Sequence, residues 1–104
     1  MTRAPVFRPE AEAEALEARS WYEARRGGLG EEFGAEVDGV VARIVDSPLA
    51  FPRVHGETRR AVLSRFPYAL YFRMTDDNIV ILAVHGRQDP SRWQTRSSSV
   101  ILNL

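Results

Sequence analysis

A chain of 104 residues suits one domain with a single modest core, and the lack of any cysteine or lysine excludes disulfides, thiolate metal ligands, a cysteine nucleophile and Schiff-base chemistry. The formal net charge of zero hides an asymmetry: residues 1–50 carry six arginines against ten acids, residues 51–104 eight against four, so the halves stand at −4 and +4 and the second half is expected to meet something acidic, in a partner or in the first half of the same fold. No apolar run approaches the ~18 residues of a membrane span, and Met1–Pro5 lacks the apolar core of a secretory signal, so a cytoplasmic protein away from membranes is expected.

Pro5-Val6-Phe7-Arg8 reads as a short edge strand. Pro9 suits the first turn of a helix that runs to Arg26 without a breaker. Glu10, Glu12 and Glu14 complement its dipole. Ala11, Ala15, Ala18 and Tyr22 fall on one stripe, with Trp21 at the edge. Leu16 lies off that stripe and is taken to widen the core face, exposure to a partner being the alternative. Gly27-Gly28-Leu29-Gly30 ends the helix. A second helix is expected from about Glu31 to Asp46, with Phe33, Val37, Val40, Val41, Ile44 and Val45 on one face. Gly34 and Gly39 each cost it about 1 kcal/mol relative to alanine, which close approach to the first helix would explain. Ser47-Pro48 stops it. The short connection makes the two helices an antiparallel hairpin.

Leu49 to Glu57 reads as a loop in which Phe51 plugs the end of the core and His55 is solvated. Three apolar runs follow, Ala61–Phe66, Tyr68–Met74 and Ile79–Val84, with the composition of strands. Pro67 breaks the first from the second, and Thr75-Asp76-Asp77-Asn78 closes a hairpin between the second and third. Alternation puts Tyr68, Leu70, Phe72 and Met74 on one face and Ala69, Tyr71 and Arg73 on the other. Ile79–His85 is apolar on both faces, as a central strand would be. Asp89-Pro90 caps one helical turn to Arg96, and residues 97–104 form a tail. One apolar hairpin face needs one apolar sheet face. The expected fold is α+β: a helical hairpin on a small, mostly antiparallel sheet, in the order β-α-α-β-β-β with a short C-terminal helical turn, residues 1–96 being one domain.

Seven arginines punctuate or follow the strands: Arg59, Arg60, Arg65, Arg73, Arg87, Arg92 and Arg96. A basic, aromatic sheet ending in His85 is therefore the candidate site. The chain holds no G-x-x-x-x-G-K, G-x-S-x-G or H-E-x-x-H pattern. Two histidines thirty residues apart are a poor metal signal, and no metal or cofactor is expected.

The order and spacing of several pieces resemble the RelE/ParE toxin superfamily of bacterial type II toxin–antitoxin systems over about Phe7 to Arg96. These are Pro9-Glu10-Ala11; Trp21-Tyr22-Glu23 with Gly28-Leu29-Gly30 and Phe33; Pro48 and Phe51-Pro52; Arg59-Arg60; Arg65-Phe66-Pro67-Tyr68 leading to Tyr71; Ile81-Leu82-Ala83-Val84-His85; and Arg87-Gln88-Asp89-Pro90 with Trp93. The Pro-Tyr and Asp-Pro-x-x-Trp pieces look most like the ParE-like, plasmid-stabilisation members.

That resemblance implies a toxin that poisons DNA gyrase by protein–protein contact and is neutralised by a cognate antitoxin, whose extended tail folds on binding over an interface larger than ~1,600 Å². Arg60, Arg65, Arg73, Arg87 and Trp93 are then target-contact residues, arginine and tryptophan being common interface anchors. No direct binding of the toxin alone to DNA is implied. RelE-type members instead cut messenger RNA in the ribosome. Here that chemistry would fall to His85 as acid or base, with Arg65 and Arg87 neutralising phosphate. The nuclease members' Lys, Arg, His and Tyr set is only partly present: there is no lysine, and no tyrosine follows Tyr71. These departures favour gyrase. A third reading is a degenerate toxin that only binds its antitoxin.

Overall fold

The structure, a computed structural model, describes residues 2–86. Arg87, the Asp89-Pro90 turn, Trp93 and the 97–104 tail lie outside the described residues.

Strand β1 (Ala4–Phe7) leads through Arg8, held extended by the proline that follows, into helix α1 (Pro9–Arg25). Helix α2 (Leu29–Asp46) returns antiparallel to it. The turn between them rests on Gly28 at φ 90°, a left-handed residue that favours glycine. Glu23 completes the turn: its carboxylate accepts the Gly28 N–H at 2.9 Å and the Gly30 N–H at 3.0 Å. Those are donors that the start of α2 leaves without an intrahelical partner. The cap is thus supplied by α1, since Gly28 has no side chain to cap with.

A 3₁₀ turn at Pro48–Ala50 leads to β2 (Arg53–His55), followed by β3 (Thr58–Val62), β4 (Tyr68–Met74) and β5 (Asn78–Gly86). The sheet order is β1-β5-β4-β3-β2, with β1 parallel to β5 and every other pairing antiparallel. The α+β architecture of a helical hairpin on a mostly antiparallel sheet is therefore as expected, and the Thr75–Asn78 hairpin is present.

Several details differ from expectation. The run Ala61–Phe66 is not a strand throughout: pairing starts earlier, at Thr58, and stops at Val62, because Leu63 and Phe66 turn into the core from a loop. The Leu49–Glu57 segment holds a strand as well as a turn; β2 was missed because three residues at a sheet edge leave no periodicity to read. The sheet therefore has five described strands, and β4 rather than β5 occupies its middle. Leu16 does not widen the core face; it is 57% exposed. Gly39 has open space around its α-carbon, so helix contact does not explain it. Gly30 makes the close approach instead: a Cβ there would lie 2.6 Å from the Arg19 carbonyl oxygen. Gly34 makes room for the Arg19 side chain, whose Nη1 would lie 3.2 Å from a Cβ there.

The core lies between hairpin and sheet. Ala11 and Ala18 of α1 and Phe33, Val37, Val40 and Ile44 of α2 meet Ala61, Leu70, Phe72, Ile79, Ile81 and Val84. Phe51 packs edge-on against Phe72 and closes one end, as expected. Two alanines on α1 let it sit low over the sheet, and Tyr22, Phe33, Phe66 and Tyr68 fill the opposite end as an aromatic cluster. Among the described residues no helix is long and apolar enough to cross a membrane.

Candidate functional site

Strand parity and register decide which side chains share the sheet face turned away from the helices. Arg60 of β3 stands opposite Tyr71 of β4, and Tyr71 opposite Ala83 of β5. In the next row Val62, Ala69 and His85 are aligned. Arg73 stands opposite Val80. Ala69, Tyr71 and Ala83, with Val54 of β2, form a second apolar cluster distinct from the main core. Arg60 is exposed beside it, and Arg73 is half-buried. The Nε and Nη1 atoms of Arg73 are buried without a hydrogen-bond acceptor, a state that favours an incoming anionic group. Of the sequence-predicted set, the structure thus brings together Arg60, Arg73 and His85 around Tyr71.

His85 is built into the fold more firmly than its position at a strand end indicated. The side chain is 5% exposed, and its ring centroid lies 6.3 Å from that of Tyr71. Strand β1 pairs with β5 only as far as Ile81, so the β5 backbone beyond that point has an open edge. Helix α1 covers it. Glu14 extends from α1, accepts the Val84 N–H at 3.0 Å through Oε1 and places Oε2 2.5 Å from His85 Nε2. One carboxylate therefore satisfies a strand-edge donor and fixes an imidazole. Glu14 was legible only as the third of three acids near the start of α1; nothing in the spacing linked it to a residue seventy-one positions away.

Arg65 does not join this cluster. It lies in the loop between β3 and β4, on the helical side, and pairs with Glu32 of α2. Arg26 shares that carboxylate at 3.3 Å. The same loop is held by Glu36, which accepts the Ser64 hydroxyl at 2.8 Å and the backbone N–H groups of Ser64 and Arg65. The Arg65 hydrogen bond leads the causes that draw the Glu32 carboxyl below its usual range. For Glu36, burial pushes upward, but the hydrogen bonds from Ser64 and Arg65 outweigh it and the net direction is down. Arg65 is thus an ion-paired loop residue, and sequence reasoning missed Glu32 and Glu36 as the groups that hold it. Arg87 and Trp93 lie outside the described residues.

The larger of two hollows among the described residues lies off the basic face. A groove of about 470 Å³ runs between α1 and the adjoining ends of β4 and β5, bordered by Glu17, Trp21, Tyr22, Tyr68 and His85 among others. Burial, and then the nearby Glu17 charge, push the Tyr68 phenol upward. A smaller hollow of about 170 Å³ lies between the two helices, over Phe7, Phe33 and Val37 and beside the exposed Leu16.

No protein-family model matches the chain. A solved structure of the chromosomal ParDE TA system from P. aeruginosa shares the fold, with a TM-score of 0.63 over 82% of this chain and 96% of that one, at 19% identity. Toxin ParE2 of Mycobacterium tuberculosis is 34% identical over 100 residues, in each of two strains, a span that takes in 94% of this chain and 95% of the relative. At that identity over nearly the full length of both chains, the protein belongs to the ParE toxin family.

Proposed function

We propose that this ParE-type toxin acts in the cytoplasm by binding DNA gyrase through protein–protein contact, without catalysis, and is neutralised by a cognate antitoxin. The observation that carries this reading is the state of His85. It is the one imidazole on the face shared by Arg60, Tyr71 and Arg73, and it is buried with Nε2 committed to Glu14. Tyr71 is likewise buried. The face therefore offers exposed positive charge and a packed aromatic base, which suit an interface anchor. It offers little that could carry a proton to or from a bound phosphodiester. Arg60 and Arg73 are the contact residues of this reading within the described region, Arg87 and Trp93 its candidates beyond it, and Arg65 a positioning residue for the β3–β4 loop.

A second reading draws on the same pair. A carboxylate on Nε2 can orient an imidazole for general acid–base work, and a toxin of the RelE kind would use His85 to cut messenger RNA on the ribosome. The experiment that separates them pairs a gyrase supercoiling assay with primer-extension mapping of messenger on translating ribosomes, both with the purified full chain. Lost supercoiling with intact messenger is the expected result. Codon-phased cuts with normal supercoiling would replace the first reading by the second. Silence in both, with antitoxin binding retained, would mark a degenerate toxin.

A further inference from the structure

The groove between α1 and the ends of β4 and β5 has a chemistry opposite to that of the basic sheet face. Its rim is Trp21, a tryptophan 49% exposed on an otherwise well-packed small domain. One side of the indole is already in use, with the Arg25 guanidinium 3.7 Å from the ring centroid and the Tyr22 ring edge-on at 5.1 Å. Tyr22 and Tyr68 form an aromatic wall. The charged groups are acidic: Glu14, committed to His85 and Val84, and Glu17. Glu17 is exposed and forms no ion pair among the described residues, yet it stands close enough to Tyr68 to push the phenol upward. No arginine borders the groove among the described residues. The hairpin around it, residues 9–46, carries ten acids against four arginines, a net charge of −6.

An acidic groove repels phosphate, so nucleic acid is a poor occupant. Aromatic faces beside an unpaired carboxylate suit a guanidinium or ammonium group, held by cation–π attraction and by charge. At about 470 Å³ the groove takes one long side chain and an apolar neighbour. We propose that it is the docking seat for a basic segment of the antitoxin, in which an arginine or lysine lies against Trp21 and Tyr68 with its charge at Glu17, and an adjacent apolar residue fills the floor. This rests on the antitoxin reading above and extends it. The same antitoxin would place acidic residues on Arg60 and Arg73, so its tail must change charge sign along its length to follow the toxin from one face to the other.

The probe is the product of the reading frame adjoining this gene, titrated calorimetrically against the full-length toxin at two salt concentrations. Trp21 and Glu17 are exposed, so Trp21→Ala and Glu17→Arg are expected to keep the wild-type circular dichroism spectrum. Each should weaken binding about tenfold or more, and Glu17→Arg should also reduce the salt dependence. Arginine-to-glutamate exchange in the antitoxin's basic segment should restore affinity to Glu17→Arg. Wild-type affinity in both toxin variants, or tighter binding by Glu17→Arg, overturns the seat while leaving the antitoxin reading intact. No complex with the wild-type toxin removes the antitoxin reading, and the seat with it. Loss of a toxin–toxin dimer in place of a hetero-complex would assign the groove to a second copy and overturn the proposal.

Discussion

Replacing Ile44 by alanine tests where the core lies. Ile44 sits on the sheet-facing side of α2 with no exposed surface. The change removes three buried carbons, worth ~0.8 kcal/mol each in transfer free energy and so ~2.4 kcal/mol together. Incomplete collapse of the site adds a cavity term, for a total of about 3–4 kcal/mol, inside the usual ~2–5 kcal/mol span. A domain of this length is stable by roughly 5–15 kcal/mol, so the loss is a large share of the whole. Urea denaturation followed by circular dichroism should show the midpoint falling by about 1–3 M with the slope unchanged. Leu16→Ala supplies the internal contrast: with more than half of its surface in water, it should shift stability by no more than about 1 kcal/mol. A cost below ~1 kcal/mol for Ile44→Ala, or equal costs at the two sites, would mean that the buried face of the hairpin has been misplaced.

Three further outcomes are expected. Gly30→Ala should destabilise by about 1–3 kcal/mol, because its Cβ would press on the Arg19 carbonyl oxygen, which is backbone and cannot swing away; Gly39→Ala, in open space on α2, should be neutral or stabilising by up to ~1 kcal/mol, and the reverse order in thermal melts would contradict the packing described. Glu32 and Glu36 have depressed pKa values in the folded state, so their stabilisation is complete above the ordinary unfolded glutamate value of ~4.3 and is lost as pH falls through the lower folded values; Glu36→Gln should therefore be weaker than the parent at pH 7, with the gap closing below about pH 4, and a gap that widens in acid would contradict this sign. His85→Gln keeps a donor for Glu14, so gyrase inhibition should survive within a few-fold, whereas a drop of about 10²–10⁴ in a messenger-cleavage assay would show that the imidazole moves protons.

The sequence was readable where pattern and packing obey one period. The 3.6-residue stripe on α2 picked out Phe33, Val37, Val40, Val41, Ile44 and Val45; four of them are buried, and Val41 and Val45 are half-buried against the same core. The two-residue alternation of β4 separated Leu70 and Phe72 from Ala69 and Tyr71, which enter different clusters. Reading failed where one residue's environment is set by another far along the chain. Leu16 was placed by its own hydrophobicity, whereas among the described residues the two-layer contact leaves it exposed. Gly30 was read as turn chemistry, whereas its role is to let α2 start against the α1 backbone. The strand Thr58–Val62 begins with Thr-Arg-Arg, which shows no apolar run, because Arg59 spends its guanidinium on the Phe51 carbonyl at 2.6 Å rather than on solvent.

The candidate site divides along the same line. Parity within a strand puts Tyr71 and Arg73 on one face, but only the register between strands adds Arg60 and His85 to them. Arg65 illustrates the limit, since its loop position carries no parity and its partner Glu32 lies thirty-three residues away. The charge split between the halves of the chain admitted two explanations, pairing within the fold or attraction to partners. Among the described residues Arg65 is the only arginine of the second half that bridges to the helical hairpin; Arg53 pairs with Glu57 inside its own half, and Arg26 with Glu32 inside the other. Among the described residues internal pairing therefore neutralises little of the asymmetry: acids stay on the surface along α1 and α2, and Arg60 and Arg73 stay on the far face of the sheet. A partner that covers both must itself be charged in two opposite blocks.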